Sequence, residues 1–291
     1  YGYYNQWHAH TYYTHLFRNS KKVELNGRYT HHAIFDETIK FIKNNKDKPF
    51  FLYCPWTPPH SAYQIPEDEP AWKMYKDKPW PHDARVAAAM DTMMDRHVGE
   101  ITALLKKLGI YQNTLMFFTS DNGAAKRFDG IHNSSGVMQG KKRSLNEGGI
   151  RVPMVVRWPG KIKAGRVSSH PWYFPDVMPT FAEIGGVSTE VPEDIDGISI
   201  LPTLLDKGVQ KQHEYMFWQY GVRAVRSGKW KGIGKGGHLY LYDLSEDIEE
   251  KNDLSSKHPE IAARMKKYIT IGYREPRSQK DDGKYTGKDK K

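Results

Sequence analysis

Residues 115–128 read LMFFTSDNGAAKRF, an apolar and aromatic run that turns abruptly to Asp121, Asn122 and Gly123. The run is continuous rather than alternating, which is typical of a strand buried on both faces of a parallel sheet. Asp-Asn-Gly by itself is a favourable tight turn. Ligands bind beyond the carboxyl ends of such strands, however, and carboxylate and amide oxygens suit Ca²⁺ or Mg²⁺. The stretch therefore predicts a sheet edge that carries either a plain turn or half of a metal site.

Helical and strand patterns alternate on both sides of this stretch. Helical spacing of apolar residues predicts helices, and short continuous apolar runs predict buried strands. Gly109 suits the end of the longest helix. Together these patterns predict an α/β fold with a mostly parallel sheet flanked by helices. The predicted helices are 31–46, 83–108 and 176–186, and the predicted strands are KPFFLYCPW (48–56), NTLMFFTS (113–120) and GGIRVPMVVRWPG (148–160).

The pattern changes after about residue 206. Two stretches, 215–233 and 236–244, are strand-like and joined by glycine-rich turns, which predicts an antiparallel set. HPEIAARMKKYI then predicts one amphipathic helix, with Pro259 in its first turn. We therefore expect a large α/β domain over 1–205, a small antiparallel α+β subdomain over 206–273, and a basic, solvated and disordered tail over 274–291.

Composition narrows the class of protein. The 291 residues carry a formal net charge of +10, which favours polyanionic partners such as nucleic acid, anionic lipid, or sulfated and phosphorylated substrates. No stretch reaches the roughly 18 apolar residues of a membrane span. The single cysteine, Cys54, excludes an internal disulfide. The opening YGYYNQWHAH does not have the pattern of a signal peptide, and we expect a piece of chain upstream of it.

A third segment, GVMQGKKRSLNEGGIRVPMVVRWPG at 136–160, adds cations and glycines. Gly148 and Gly149 permit close backbone approach, and a lysine there offers a compact cation. With a divalent cation on the Asp-Asn pair, this set would hold a sulfate or phosphate ester from several sides. His60, behind a double proline after another predicted strand, is a further candidate, although a lone loop histidine is usually structural.

These motifs together resemble the formylglycine-dependent sulfatase family, in its bacterial arylsulfatase-like form. The resemblance runs from residue 1 to about residue 272. It rests on SDNG, on GKKRSLNEGGIRVP with Glu147 26 residues after Asp121, on WPGKI, and on DVMPTFAEIGG. The segments GYYNQWHAHTYYTHLFRN, PFFLYCPWTPPHSAYQIPE and LYDLSEDIEEKNDL are also similar.

The resemblance implies an alkaline-phosphatase-like α/β domain with a smaller four-stranded C-terminal subdomain. It implies a hydrated formylglycine, made from Cys or Ser, that attacks the sulfur of a sulfate ester, and a Ca²⁺ ion, with Mg²⁺ the less favoured metal. By motif, Asp121 and Asn122 match metal ligands and Lys142 matches the lysine that contacts the sulfate, with Lys141 the near miss. His60 matches a catalytic histidine that hydrogen-bonds the sulfate.

Other residues of the motifs are assigned supporting roles rather than a direct part in the reaction. Glu147, Gly148, Gly149 and Arg151 are interpreted as scaffolding. His8 and His10 match a loop near the substrate pocket, with surface packing as the alternative. The family also implies a periplasmic or secreted protein whose partner is a sulfated small molecule or glycan rather than nucleic acid or a membrane. The oligomeric state stays open.

The sequence departs from the family at the nucleophile. No Cys- or Ser-x-Pro-x-Arg motif is present: Cys54 begins CPWTP, and Ser169 begins SHPWY. The family's N-terminal acidic pair and Lys-Trp-His segment are absent as well. One carboxylate and one amide make a weak divalent-metal site. We therefore expect that these 291 residues alone do not turn over a sulfate ester.

Three hypotheses follow. The first is the C-terminal part of an active sulfatase, whose nucleophile lies upstream. The second is a non-catalytic remnant that binds sulfated polyanions through its basic surface and Lys142. The third is a phosphoesterase or phosphotransferase of the alkaline phosphatase superfamily, which the EGGIRVP context disfavours.

Overall fold

The computed structural model describes residues 15–25 and 27–275, which form two compact units. The predicted boundary at 205/206 does not coincide with the division between these units, and it stays a prediction. The first unit comprises the described residues through Met116 with Phe128–Asn133 and Arg157–Ala164, and the second comprises Phe117–Arg127, Ser134–Val156 and the described residues from Gly165 onward.

The first unit contains an antiparallel hairpin and three helices. In the hairpin, Leu16 lies opposite Val23. A single 3-10 turn at Tyr111–Asn113 follows the last helix. The elements are β1 (His15–Arg18), β2 (Lys21–Glu24), α1 (Thr30–Asn45), α2 (Pro70–Tyr75) and α3 (His82–Lys107).

The two long helices form where the apolar periodicity predicted them. Met90 and Met93 of α3 are fully buried, within a cluster that includes Tyr29 and Ile65. Gly109 has φ +73°, and the Ile110 N–H donates to the Leu105 carbonyl at 3.1 Å. Such a left-handed residue ends a helix without the steric cost of a side chain. The predicted end of α3 at Gly109 is therefore confirmed.

The prediction of a buried strand in KPFFLYCPW is wrong for the described structure. Residues 51–57 carry no strand assignment, and exposure alternates along the segment. Leu52 packs beside Ile42, Leu105 and Tyr111, whereas Phe51 and Tyr53 are 67% and 70% exposed. The apolar run predicted burial on both faces, but the described residues cover only one of them.

The second unit contains a strand pair, four helices and a four-stranded sheet. Short 3-10 turns at Phe174–Asp176 and Ser188–Glu190 connect some of these elements. Two end residues of these elements, Met116 and Arg157, belong to the first unit. The elements are β3 (Met116–Thr119), α4 (Glu147–Ile150), β4 (Met154–Arg157), α5 (Val177–Ile184), α6 (Leu201–Leu205), β5 (Met216–Tyr220), β6 (Val222–Ser227), β7 (Trp230–Lys235), β8 (His238–Asp243) and α7 (Pro259–Ile271).

The four-stranded sheet is antiparallel throughout, in the order β5-β6-β7-β8. Helix α7 packs on it, and Val225, Leu241 and Met265 are fully buried between them. A Cβ on Gly232 would lie 2.8 Å from the Cβ of Met265, so the glycine allows the close approach of α7. The predicted antiparallel set with one helix, beginning at Pro259, is confirmed.

Strands β3 and β4 hydrogen-bond to each other, which confirms a strand within each of the two predicted runs. The second prediction began too early, because residues 148–150 lie in α4 rather than in a strand. Their burial is only partial, because Phe118 is 41% and Val155 is 61% exposed. Among residues 15–25 and 27–275, no helix has both the length and the apolar character to cross a bilayer.

Candidate functional site

The loop after β3 places Asp121 and Asn122 at the end of a strand, where the sequence predicted them. Asp121 is exposed and Asn122 is half-buried. The Ser120 hydroxyl donates to the Asn122 carbonyl at 3.2 Å. The Gly123 N–H donates to the Gly149 carbonyl at 2.9 Å, and a Cβ on Gly123 would lie only 2.1 Å from the Gly148 oxygen. Only glycine therefore permits this approach of the loop to α4.

The segment that carries Lys142 docks on the same loop through its backbone. The Lys142 N–H donates to the Ala124 carbonyl at 2.7 Å. The Lys126 ammonium reaches across to the Met138 carbonyl at 3.1 Å. The Gly148 N–H donates to the Gln139 carbonyl at 2.7 Å, which closes the segment into a loop. The structure thus brings the backbones of the Asp121–Asn122 and Lys142 segments together.

The side chains of the Asp121–Asn122 loop have the donor chemistry of the metal that the motif implies. Asp121 and Asn122 supply a carboxylate and an amide oxygen, the hard ligands that Ca²⁺ takes. Asp121 is exposed, and the backbone that follows the pair is held against α4 by the tight approach of Gly123. Among the described residues, no group of three or more His, Cys, Asp and Glu side chains is arranged to hold a metal ion. The chemistry of the pair thus suits Ca²⁺, but a complete site needs more oxygen ligands than these two side chains supply.

Glu147, interpreted from sequence as scaffolding, is 3% exposed at the start of α4. Its carboxylate lies 2.8 Å from the Lys231 ammonium and 3.5 Å from the Arg151 guanidinium. Burial by itself would raise the pKa of Glu147, but Lys231, Arg226 and Arg151 outweigh burial and hold that pKa below its usual value. Glu147 is therefore ionised at neutral pH. No local pattern identifies Lys231 as its partner, because Lys231 lies 84 residues away in the sequence.

His60 lies in a turn of the first unit. Its backbone N–H closes this turn by donating to the Thr57 carbonyl at 3.0 Å. Its ring Nδ1 lies 2.7 Å from the Ser61 carbonyl oxygen. Because a carbonyl oxygen can only accept, Nδ1 carries the proton in this hydrogen bond. The ring orientation of His60 is thus fixed locally. His8 and His10 lie outside the described residues.

Cys54 is half-buried, and its sulfur lies 3.6 Å from the Thr38 hydroxyl. Burial raises the pKa of its thiol. A protonated thiol is a poor nucleophile. The contact with α1 agrees with the interpretation of Cys54 as a packing residue, and its CPWTP context does not match the motif of a nucleophile precursor.

The structure also shows a buried histidine pair that sequence reasoning missed. His31 of α1 and His97 of α3 are almost fully buried, and their ring nitrogens lie 2.9 Å apart. Arg96 contacts the second ring nitrogen of His97 at 3.0 Å and pairs with the buried Glu69 at 2.9 Å, while His32 lies 3.1 Å from Glu69. The only sequence signal was the position of His31 and His97 on the apolar stripes of their helices.

Burial sets the charge state of this pair. It lowers the pKa of His31 to about 3, with smaller contributions from His32 and Arg96. It likewise lowers the pKa of His97 to about 3, with contributions from His31, Arg96 and His32. Both rings are therefore neutral at physiological pH, and the pair is a structural feature of the first unit.

Comparisons with known proteins identify the family to which the chain is similar. Residues 2–187 match the family model described as Sulfatase, and residues 139–273 match that of N-sulphoglucosamine sulphohydrolase, C-terminal. The steryl-sulfatase of Mus musculus is 34% identical over 213 residues, covering 68% of this chain and 32% of that protein. The N-acetylgalactosamine-6-O-sulfatase of Bacteroides thetaiotaomicron is 30% identical over 267 residues, covering 81% and 49%. The chain thus spans about a third to a half of the length of these relatives.

A solved structure shares the fold. The crystal structure of Ps i-CgsB superposes with a TM-score of 0.76 at 30% identity, covering 87% of this chain and 56% of that one. The same protein has been solved in complex with k-i-k-neocarrahexaose. This likeness confirms the predicted α/β fold with its small antiparallel subdomain. On the match over residues 2–187, the chain belongs to the sulfatase family.

Proposed function

We propose that this chain binds sulfate esters of glycans as part of a sulfatase that hydrolyses them. The observation that supports the proposal is the docking of the Asp121–Asn122 loop on the Lys142 segment, through the hydrogen bonds of Gly123 to Gly149 and of Lys142 to Ala124. This docking puts two hard oxygen ligands and a basic segment in one region of the second unit.

Each residue has a distinct role in the proposal. Asp121 and Asn122 hold a Ca²⁺ ion, which when bound supplies positive charge to the sulfate oxygens. The Lys142 ammonium donates hydrogen bonds to the same anionic group, as a compact cation does. His60 hydrogen-bonds the sulfate ester, a role that rests on its motif alone.

The nucleophilic step is not assigned to these residues. The 291 residues contain no Cys- or Ser-x-Pro-x-Arg motif, and Cys54 lies in an environment that keeps its thiol protonated. Hydrolysis by the family mechanism therefore needs a formylglycine that this chain does not contain. Within the proposed enzyme, the chain supplies metal ligation and sulfate recognition.

A sulfated glycan is the substrate class that the observations favour. The relative from Bacteroides thetaiotaomicron is named for a sulfated amino sugar, and Ps i-CgsB has been solved with an oligosaccharide. The net charge of +10 favours an anionic polymer. Since such substrates are extracellular, we propose a periplasmic or secreted protein.

Calorimetric titration with N-acetylgalactosamine-6-sulfate in the presence of CaCl₂ tests the binding proposal. We expect Lys142→Ala to weaken binding by about tenfold, because a charge-assisted hydrogen bond contributes about 1.5–3 kcal/mol. Lys141→Ala is the matched control, since it removes the neighbouring, exposed lysine. Equal losses in both variants, or no binding by the unaltered chain, would reject the proposed site.

A binding protein without activity is the second candidate, and the net charge of +10 is the observation that favours it. Sulfate release by the protein purified from its natural source, with peptide mapping for formylglycine, separates the two. Release together with a formylglycine peptide supports the enzyme. Binding without sulfate release and without a formylglycine peptide supports the non-catalytic binding protein. Release of phosphate rather than sulfate from matched esters would point to a phosphoesterase.

A further inference from the structure

Lys231 of β7 is a fully buried lysine between two buried carboxylates. Its ammonium lies 2.8 Å from Glu147 and 2.9 Å from Glu250, which are 3% and 2% exposed. A buried ammonium is costly unless it is paired and hydrogen-bonded. Removal of one partner from such a group is strongly destabilising, because it leaves an uncompensated buried charge. The three side chains are therefore interdependent.

Glu250 also binds the backbone of α4. Its second carboxylate oxygen accepts the Glu147 N–H at 2.7 Å, across 103 residues of sequence. That N–H belongs to the first turn of a helix, where it has no partner within the helix. Glu250 itself has φ +54°, a conformation that non-glycine residues adopt rarely and at some cost. The fold thus maintains a strained residue where its carboxylate meets α4.

Helix α4 is in turn the element against which the candidate site is built. It contributes the Gly149 carbonyl that accepts the Gly123 N–H, next to Asn122. A Cβ on Gly148 would lie 2.6 Å from the Gln139 carbonyl oxygen, at the start of the segment that carries Lys142. A shift of α4 would therefore move both segments of the site.

We propose that Lys231 is a positioning residue for the candidate sulfate site, acting through Glu147 and α4 on the loops that carry Asp121, Asn122 and Lys142. The proposal rests on the function proposed above. It assigns to the four-stranded sheet, which packs against α7, a second role in ordering the candidate site.

Amide hydrogen exchange tests the mechanical part of the proposal without any ligand. In Lys231→Met we expect the Gly123 amide and the amides of 139–150 to exchange about tenfold faster, since local opening would cost less free energy. The amides of β5, which is separated from β7 by β6, should keep their rates. Lys235→Met, an exposed change on the same strand, is the control and should alter neither set.

A second variant guards against unfolding. Lys231→Met with Glu147→Gln removes one of the two carboxylates that the loss of Lys231 leaves uncompensated, and the new amide can still face Glu250. If the single variant does not fold, the exchange rates of this double variant are compared with those of the unaltered protein instead. Faster exchange confined to β7, or equally faster exchange throughout the sheet, would overturn the positioning role.

Calorimetry with CaCl₂ and N-acetylgalactosamine-6-sulfate tests the link to function. Residues that support metal ligands typically change affinity by about 10–100-fold when altered, and we expect at least a tenfold loss here. Unchanged affinity despite faster exchange at Gly123 would overturn the proposal. If the unaltered chain binds neither ligand, the proposed function fails, and the exchange experiment still decides whether Lys231 orders these loops.

Discussion

At the scale of single residues, the candidate site depends on a backbone that admits no side chain. Gly123 lies against Gly148 so closely that a Cβ would be 2.1 Å from its oxygen and 2.8 Å from its carbonyl carbon. The neighbouring backbone would have to move, and with it the loop that carries Asp121 and Asn122. The sequence motif SDNG therefore reflects packing as well as ligand chemistry.

Gly123→Ala should reduce the free energy of unfolding by about 1–3 kcal/mol, the usual cost of overpacking. Gly99→Ala is the control, because α3 leaves open space at that position and alanine is the better helix former by about 1 kcal/mol. Urea unfolding followed by circular dichroism measures both. Equal stability of the two variants would mean that the loop tolerates a side chain at Gly123.

At the scale of elements, α7 and the four-stranded sheet share one core. Met265→Ala should cost about 2–5 kcal/mol, because the side chain is fully buried against β7 and β8 and its removal leaves a cavity. Met178→Ala on α5 removes the same atoms at a position that is 54% exposed, and it should change stability by less than about 1 kcal/mol. Thermal unfolding compares them, and similar losses would contradict this assignment of the core.

The contact of α1 with α3 should make the protein sensitive to acid. His31 and His97 have pKa values of about 3 when folded, below the ordinary value of 6.5. The unfolded chain therefore binds more protons between pH 6.5 and 3, and stability is lost as the pH falls through that window. From pH 6.5 to 5 each ring should cost up to about 2 kcal/mol, at 1.36 kcal/mol per pKa unit.

Chemical unfolding between pH 8 and 4 measures this loss. The charged neighbours of the pair are Arg96, Glu69 and His32. His97→Leu should flatten the pH dependence, whereas His82→Gln, an exposed change on the same helix, should leave it intact. A dependence that survives His97→Leu would assign the acid sensitivity to other groups.

At the scale of the whole molecule, nonspecific binding to polyanions through the net charge should be separable from binding at the candidate site. With a charge of +10, the protein should bind heparin resin at low salt and lose it as salt rises, because screening shortens from about 10 Å at 0.1 M to about 3 Å at 1 M. Lys142→Ala should shift this elution little, since it removes one of 44 basic residues. Elution independent of salt, or equal retention on unsulfated dextran, would argue against electrostatic binding of the protein to the sulfated polymer.

Much of the fold and the candidate site could be predicted from local patterns. Helical periodicity predicted α1, α3 and α7, and the apolar run before Asp121 predicted β3. The spacing of Asp121, Lys142 and Glu147 indicated the family that the comparisons confirm. Each of these signals depends on neighbours within a few residues or on a linear motif, and the sequence contains that information directly.

The sequence by itself thus determined α1, α3, α7 and β3, the motifs and the family. Only the tertiary structure decided that Glu147 meets Lys231 and Glu250, that His31 meets His97, and that Phe51 is exposed where an apolar run predicted burial. The physical reason is that periodicity records which face of an element is apolar, but not what covers it. Pairings across 66 to 103 residues arise only when packed elements bring distant side chains together and exclude water from them.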